Sequence, residues 1–450
     1  CHANCDLTTF STIISLDGVM KRLLLALAIL ALVIPTIAQD DDLCDVAAPS
    51  EPTEVNFIGG TFPILDFYAA ELSECDDVEN LSINTQLPQS SDAQSEIRLA
   101  ASAGGSSPFD IIHGSNDFIN EVAAQGYLLP LNDLIETYSE EFALDDIAPA
   151  FFDAVTQDGN IYGIPVIVNT QHFYYNTTIL ADAGIEAPTT YEEVIEMCQT
   201  VDTEALDVDY LFGMVVSANW AWRIEFVNIY GAFGGTLLDE DNMPMFNSET
   251  GVEALEFMQE LVGACLGDEG VLLSTDDLQA GIANGSIAMG HMWASRAALM
   301  DDEELSLVVG EIEFAPALYP TADTPQRGGM AWSDFLSIPA TSDVDPDLLF
   351  QLIMEAADLD SQIEAASLGL VPRNEASPFA ARYSDASLQT IAEGAPALVK
   401  PADQLVLRAL EEFVPMVYTG DMTAQEALDA AAAAYVENAT IEGFIEEESE

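Results

Sequence analysis

The chain has 450 residues, 49% of them apolar, and sets 78 acidic residues against 10 basic ones for a formal charge of −68. That length exceeds one ordinary core, and the apolar share separates the chain from a disordered acidic polymer. The charge repels phosphate backbones, which excludes nucleic acid as a partner, and acids spread along the whole chain describe a solvated surface suited to salty surroundings.

Residues 1–19 show no pattern and are expected to be an upstream extension. The stretch "MKRLLLALAILALVIPTIAQDDD" then has Lys21 and Arg22 as a positive start, Leu23 to Ile34 as an apolar run, and Thr36-Ile37-Ala38 as a small-residue exit. This is the physics of an export signal over 20–39: too short to span a bilayer comfortably, and followed by acids. An acidic leader over 40–54 follows. Export leaves four cysteines in a compartment that permits disulfides, and Cys44–Cys75 with Cys198–Cys265 is the preferred pairing.

"VNFIGG" (55–60) reads as a buried strand ending in glycines, and "TFPILDFYAAELSEC" has helical spacing. "LSINTQL" is a second strand, and "SDAQSEIRLAASAGG" is a helix with a glycine stop. "FDIIHGSND" is a strand with a polar exit, and "INEVAAQGYLLPLNDLI" is helix, turn, helix. After the polar turn at 158, an apolar strand interrupted by Pro165 runs to Asn169. "TTYEEVIEMCQTV" carries a Thr/Glu capping arrangement. "LFGMVVSANW" is a strand and "GVEALEFMQELVGACLG" an amphipathic helix. "GSIAMGHMW" and "FLSIPATS" are strands, "DPDLLFQLIMEAAD" a helix, and "TAQEALDAAAAAYVENATI" a closing alanine-rich helix. Residues 443–450 form an acidic tail. Alternating strands and helices predict an α/β fold with crossover connections.

The four histidines, His2, His113, His172 and His291, are scattered, and no H-E-x-x-H, G-x-S-x-G or Walker pattern occurs. "AGGSS" (103–107) follows a helix, lacks a phosphate-loop lysine and is a turn. No metal, cofactor or catalytic residue is expected.

The segment "DGNIYGIPVIVNTQHFYYNTTILADAGIEAPTTYEEVIEMC" resembles that of bacterial extracellular solute-binding proteins, the sugar-binding (maltose-binding-protein-like) family of ABC importers. "GYLLPLNDLI", "GIANGSIAMGHMW", "GGMAWSDFLSIPATS", "GLVPRNEAS" and "VYTGDMTAQEALDAAAAAY" resemble further family segments in the same order. The resemblance covers roughly 55–442. It implies a two-lobed periplasmic-binding-protein-like fold (type II), with lobe I at 55–166 and 336–375, lobe II at 167–335 and 376–442, and a ligand cleft between them.

In that cleft the resemblance places Asn116 and Asp117 as sugar-hydroxyl partners and Asn169 to His172 where the crossing strand leaves the hinge, with Tyr174 and Tyr175 packed behind. Trp293 is expected to stack on a sugar face, whose C–H groups are apolar while the rim needs hydrogen bonds. Trp220 and Trp222 fall near a second aromatic wall, where strand alternation would send both to one face. Trp332 and Asp334 lie on the return strand, and Phe62 follows the first glycine turn. Arg373 either meets ligand or ties two carboxylates together. The sequence departs from its relatives in lacking lysines, of which Lys21 and Lys400 are the whole complement, and in having no lipid-anchoring cysteine, since Cys44 follows Asp42-Leu43. The implied function is a secreted, monomeric, non-enzymatic receptor. It would deliver a mono- or oligosaccharide to the membrane permease of an ABC transporter. The rivals are the same fold binding a polyamine or other cation, a secreted glycoside hydrolase, and a ligand-sensing subunit.

Overall fold

A computed structural model describes residues 44–446. The extension at 1–19, the export signal at 20–39, the start of the acidic leader and the end of the acidic tail lie outside the described residues. In chain order the strands are β1 (Thr53–Ile58), β2 (Leu81–Gln86), β3 (Ile111–Ser115), β4 (Thr156–Gln157), β5 (Asn160–Ile161), β6 (Ile164–Asn169), β7 (Gln171–Asn176), β8 (Tyr210–Met214), β9 (Ile287–Trp293), β10 (Ile312–Ala315), β11 (Arg327–Met330), β12 (Trp332–Ser337) and β13 (Gly394–Ala395).

Two sheets organise two lobes. The first has order β2-β1-β3-β12-β6, and the second has order β10-β7-β9-β8. In lobe I, β1 runs parallel to β2 and β3, whereas β12 returns antiparallel between β3 and β6. Pro165 is tolerated because β6 is an edge strand, where a missing N–H breaks no ladder on the open side. The register between β12 and β6 slips beside it, between Asp334 and Phe335. Helices Pro63–Glu74 and Pro346–Ala356 cover this sheet and bury Leu65, Tyr68, Leu349 and Phe350 against Phe57, Ile111 and Ile167. Complete burial of each such side chain contributes about 1.5–3 kcal/mol.

Lobe II packs helices Tyr191–Thr200, Asn219–Ala232, Glu249–Cys265, Asp403–Phe413 and Ala424–Ile441 around its sheet, with Phe212, Phe226, Met258, Leu407 and Tyr435 in the core. The expected Thr/Glu cap forms at Thr190 with Glu193, and Thr423 with Glu426 closes a second capping box. Cys44 is bonded to Cys75, and Cys198 to Cys265; the second bond pins helix Tyr191–Thr200 to helix Glu249–Cys265.

The chain crosses between the lobes at Thr170, between β6 and β7, again at Ala331, between β12 and β11 (which pairs with β13), and a third time between helices Pro346–Ala356 and Asp403–Phe413. The sequence boundaries of 166/167 and 335/336 are displaced because β6 and β12 each pair along their full length in the first sheet. Thr170 donates its hydroxyl to the Met330 carbonyl at 2.8 Å, tying the first crossing to the second. On the lobe II side, Gln171 donates to Glu225 at 2.7 Å and accepts from Asn228 at 2.7 Å, and His291 lies 3.1 Å from the same Glu225.

Arg373 is buried inside lobe I and donates to the Ala143 carbonyl at 3.1 Å. Burial holds its guanidinium below the ordinary value, partly offset by Asp146 and Asp358. It anchors a loop and does not line the cleft.

Candidate functional site

A cavity of about 860 Å³ opens where the two lobes face each other, a volume within the range of small-molecule sites. It lies beyond the carboxyl ends of β1 and β3, where open α/β sheets place their ligands. Five helices begin in its wall, at Phe62, Gln89, Ser115, Ala218 and Ser274. Gly60 makes the first of these possible, since a Cβ there would sit 2.1 Å from the Ser90 hydroxyl oxygen. Only a glycine lets this turn pass the start of helix Ser90–Ala103 and carry Thr61 and Phe62 to the wall.

The aromatic part of the wall is formed by Phe62, Trp220, Trp293 and Trp332. Trp293 and Trp332 meet edge to face, with ring centroids 6.4 Å apart and planes at 77°. Tyr174, packed beneath, donates its hydroxyl to the Trp293 carbonyl at 2.7 Å and so fixes the end of β9. Asn169 also lines the cavity, but its side chain is spent on the crossing: its oxygen accepts from the amides of Thr170 at 3.0 Å and Ser295 at 3.3 Å.

Three expected wall residues stand elsewhere. Asn116 is buried, donating to the Leu398 carbonyl and accepting from the Ser333 amide at 3.2 Å. His172 is fully buried, stacked on Tyr174 at 4.7 Å and within 2.9 Å of the Ser387 hydroxyl. Burial, then the neighbouring His291, pushes its pKa down to about 3, so it stays neutral. Trp222 packs on Tyr418 in the core of lobe II. The expected strand alternation fails because helix Asn219–Ala232 has already begun at these residues. At helical spacing, positions two apart point to nearly opposite sides, so Trp220 meets the cavity and Trp222 the core.

The polar wall was only partly legible in the sequence. Asp117 and Asp334 line the cavity as expected; Asp117 accepts from the Ser115 hydroxyl at 2.5 Å, and Asp334 lies 3.4 Å from His113. The arginines were missed. Of the chain's 10 basic residues, Lys21 and Arg22 lie outside the described residues, and Arg98, Arg223, Arg296 and Arg408, half of the others, line this one cavity. Their positions are far apart in sequence and show no motif. The one available signal was scarcity, since each rare cation in so acidic a chain calls for a reason.

Arg98 lies over the Phe118 ring at 4.9 Å and grips buried Glu121 through Nε and Nη2 at 3.0–3.2 Å, while Arg408 meets the same carboxylate from lobe II. With its amide oriented to suit its neighbours, Gln404 donates to Asp117 at 2.6 Å and accepts from Arg98 at 3.0 Å. Arg223 is 9% exposed, has a 3.4 Å ion pair with Glu411, and makes no hydrogen bond among the described residues. Burial holds its guanidinium below the ordinary value, against the opposing pull of Asp117 and Glu411. No group of three or more His, Cys, Asp or Glu side chains suited to a metal occurs among the described residues.

A family model described as bacterial extracellular solute-binding protein matches residues 73–389. The chain is 27% identical over 175 residues to the arabinooligosaccharide-binding protein of Halalkalibacterium halodurans, covering 36% of this chain and 35% of that one. It is 24% identical over 225 residues to the mannitol-binding protein of Pseudomonas aeruginosa, covering 49% of each. The matches thus span half or less of these curated relatives' length. Among solved structures it is similar to an ABC transporter solute-binding protein of Agrobacterium radiobacter in complex with ribitol, with a TM-score of 0.74, 18% identity, and coverage of 87% of this chain and 100% of that one. Maltose-bound T. maritima MalE3 is also similar, with a TM-score of 0.72, 20% identity, and coverage of 86% and 99%.

Proposed function

We infer, from the premise that this chain belongs to the bacterial extracellular solute-binding proteins, that it captures a saccharide or sugar alcohol between its lobes and hands it to the permease of an ABC transporter. One observation carries the reading: three tryptophans, Trp220, Trp293 and Trp332, line a single cavity together with a dense set of hydrogen-bonding side chains. A sugar ring offers an apolar C–H face and a polar rim, and this cavity has a surface for each. The relatives point the same way, being named for an arabinooligosaccharide and for mannitol. The protein acts as a secreted monomer and performs no chemistry on its ligand. Lobe closure biases an open–closed equilibrium and presents the closed face to the permease. No helix among the described residues is long and apolar enough to cross a membrane.

The cation-binding alternative loses support on the charges. The cavity holds four arginines against the carboxylates of Asp117, Asp276, Asp334, Glu411 and Glu412. It is therefore nearly balanced in a chain of charge −68, and a polyamine would find more attraction almost anywhere else on the surface.

Thermal-shift and calorimetric screening over sugars, sugar alcohols, sugar acids and polyamines tests the reading. A bound saccharide recovered intact is the expected result; at about 100 times its Kd it adds roughly 2.7 kcal/mol of stability. Binding of polyamines alone, or consumption of the sugar by the purified protein, would overturn it.

A further inference from the structure

Arg223 stands out among the charged groups of the cavity. Arg98 has its guanidinium committed to Glu121, and Arg296 donates to Asp276 at 3.1 Å and to Gln279 at 2.9 Å. Arg223 lines the same cavity, is about nine-tenths buried, and its enclosed Nε has no hydrogen-bond acceptor among the described residues. Its 3.4 Å ion pair with half-exposed Glu411 gives partial charge compensation without satisfying the donors. A guanidinium presents five N–H donors in a planar fork, and leaving such a group buried and unbonded is costly. The chain retains one here, in the wall of this cavity.

The backbone points in the same direction. Arg223 lies in the first turns of helix Asn219–Ala232, whose N-cap residue is Ala218 and offers no side-chain oxygen. Residues 217–220 are in the cavity wall, so the amides of Asn219 and Trp220 have no intrahelical partner and the positive end of the helix dipole faces the cavity. Helices Pro63–Glu74, Ser90–Ala103 and Asn116–Ala124 also begin in the wall without a side-chain cap on their amides. Converging uncapped helix starts favour negative charge, and a buried, unbonded guanidinium among them supplies a directional partner.

We propose that the solute is an acidic saccharide, a uronic or aldonic acid or an oligosaccharide bearing one, and that its carboxylate is received by Arg223 and the start of helix Asn219–Ala232. The proposal rests on the reading of the cavity as a saccharide site. The fork of an arginine matches the two oxygens of a carboxylate. Nearby Asp117 and Glu411 already place negative charge beside Arg223, which weighs more heavily against a phosphate dianion than against a carboxylate. The overall charge of −68 does not decide the matter. Fields between exposed charges are screened beyond roughly 8 Å at physiological ionic strength, and within the cavity the nearest groups prevail.

The test uses the mature protein and matched probes that differ only at the acid group: D-galacturonate with D-galactose and with methyl D-galacturonate, D-glucuronate with D-glucose, D-gluconate with D-glucitol, and their di- and trisaccharide counterparts. Calorimetry should find the acid of one pair bound at least about tenfold tighter than its neutral partner. The gap should close in Arg223→Gln and shrink in Arg223→Lys, which keeps the charge and loses the fork. Melting curves accompany each variant, and should Arg223→Gln fail to fold, the acid–ester comparison on the unaltered protein decides alone. Tight binding of a neutral sugar with equal or weaker binding of its acid overturns the proposal and leaves the saccharide reading standing. A glucose or galactose 6-phosphate bound tighter than every carboxylate also overturns it. If no member of any pair binds, the saccharide reading falls and this proposal with it.

Discussion

Neutralising an acid in a chain of charge −68 should ordinarily stabilise it, because it relieves self-repulsion; Glu121 should do the opposite. Its carboxylate is buried between two guanidiniums, Arg98 on helix Ser90–Ala103 and Arg408 on helix Asp403–Phe413. Glu121→Ala leaves both cations facing each other without their shared partner. Breaking a fully buried pair costs about 3–5 kcal/mol. Here the arginine side chains retain 28% and 39% of their exposure, and water screens part of the loss. We expect a destabilisation of about 2–3 kcal/mol for Glu121→Ala and roughly half of that for Glu121→Gln, which keeps an acceptor oxygen but not the charge. Urea unfolding followed by circular dichroism measures it, with Arg98→Ala and the double variant completing a cycle. A Glu121→Ala protein as stable as its parent, or more stable, would show that the cluster is no more than a surface ion pair and refute the reasoning.

Trp293→Ala should weaken saccharide binding by the loss of stacking, about 0.5–1.5 kcal/mol beyond its area, with little change in melting. Trp222→Ala should lower stability by about 3–5 kcal/mol through a core cavity and leave the affinity of the folded fraction intact; calorimetry and melting curves on both variants check the contrast. Burial raises Asp403 to a pKa of about 6, against offsetting bonds from Lys400. Its contribution is therefore fully present below the unfolded carboxyl pKa of about 4 and is lost as pH rises through about 6. Asp403→Asn should flatten that part of the stability–pH curve, and an unchanged slope between pH 4 and 7 would count against the assignment. Reduction of Cys44–Cys75 and Cys198–Cys265 should cost roughly 2–4 kcal/mol for each bond, read as a lower denaturation midpoint with reductant. Melting temperature should climb from low to molar salt as repulsion is screened; a flat profile argues against surface repulsion.

The fold was legible where local chemistry and burial agree. The apolar run ending at Asn169 reads as a buried strand despite its proline, and the structure puts it at the sheet edge. The Thr190/Glu193 cap marked a helix start, and an even cysteine count after an export signal pointed to pairing. The cavity was legible where one residue type has one good use, as with Trp293 and Trp332. It was not legible at residues 217–222. There a strand-like run passes into a helix with alanine at the cap, and a period of two read in place of 3.6 put Trp222 on the wrong side. Arg98, Arg223, Arg296 and Arg408 come from four separate segments, and only tertiary structure reveals that they share a wall. Asn116 and His172 show the converse error: polar residues next to a cleft are as easily consumed by the backbone and core that hold the cleft open.

The bond from Thr170 to the Met330 carbonyl makes two of the three lobe crossings a single ribbon. Gln171 is clamped within lobe II by Glu225 and Asn228, and β6 and β12 are laced into the lobe I sheet. On these two strands only Thr170 and Ala331 lie between the anchored parts, a span short enough to act as a knife-edge bearing. Such a joint permits rotation and resists sliding or splaying. A solute held between lobes so joined would meet few loose segments left to order, and more of its contact energy would remain available as affinity.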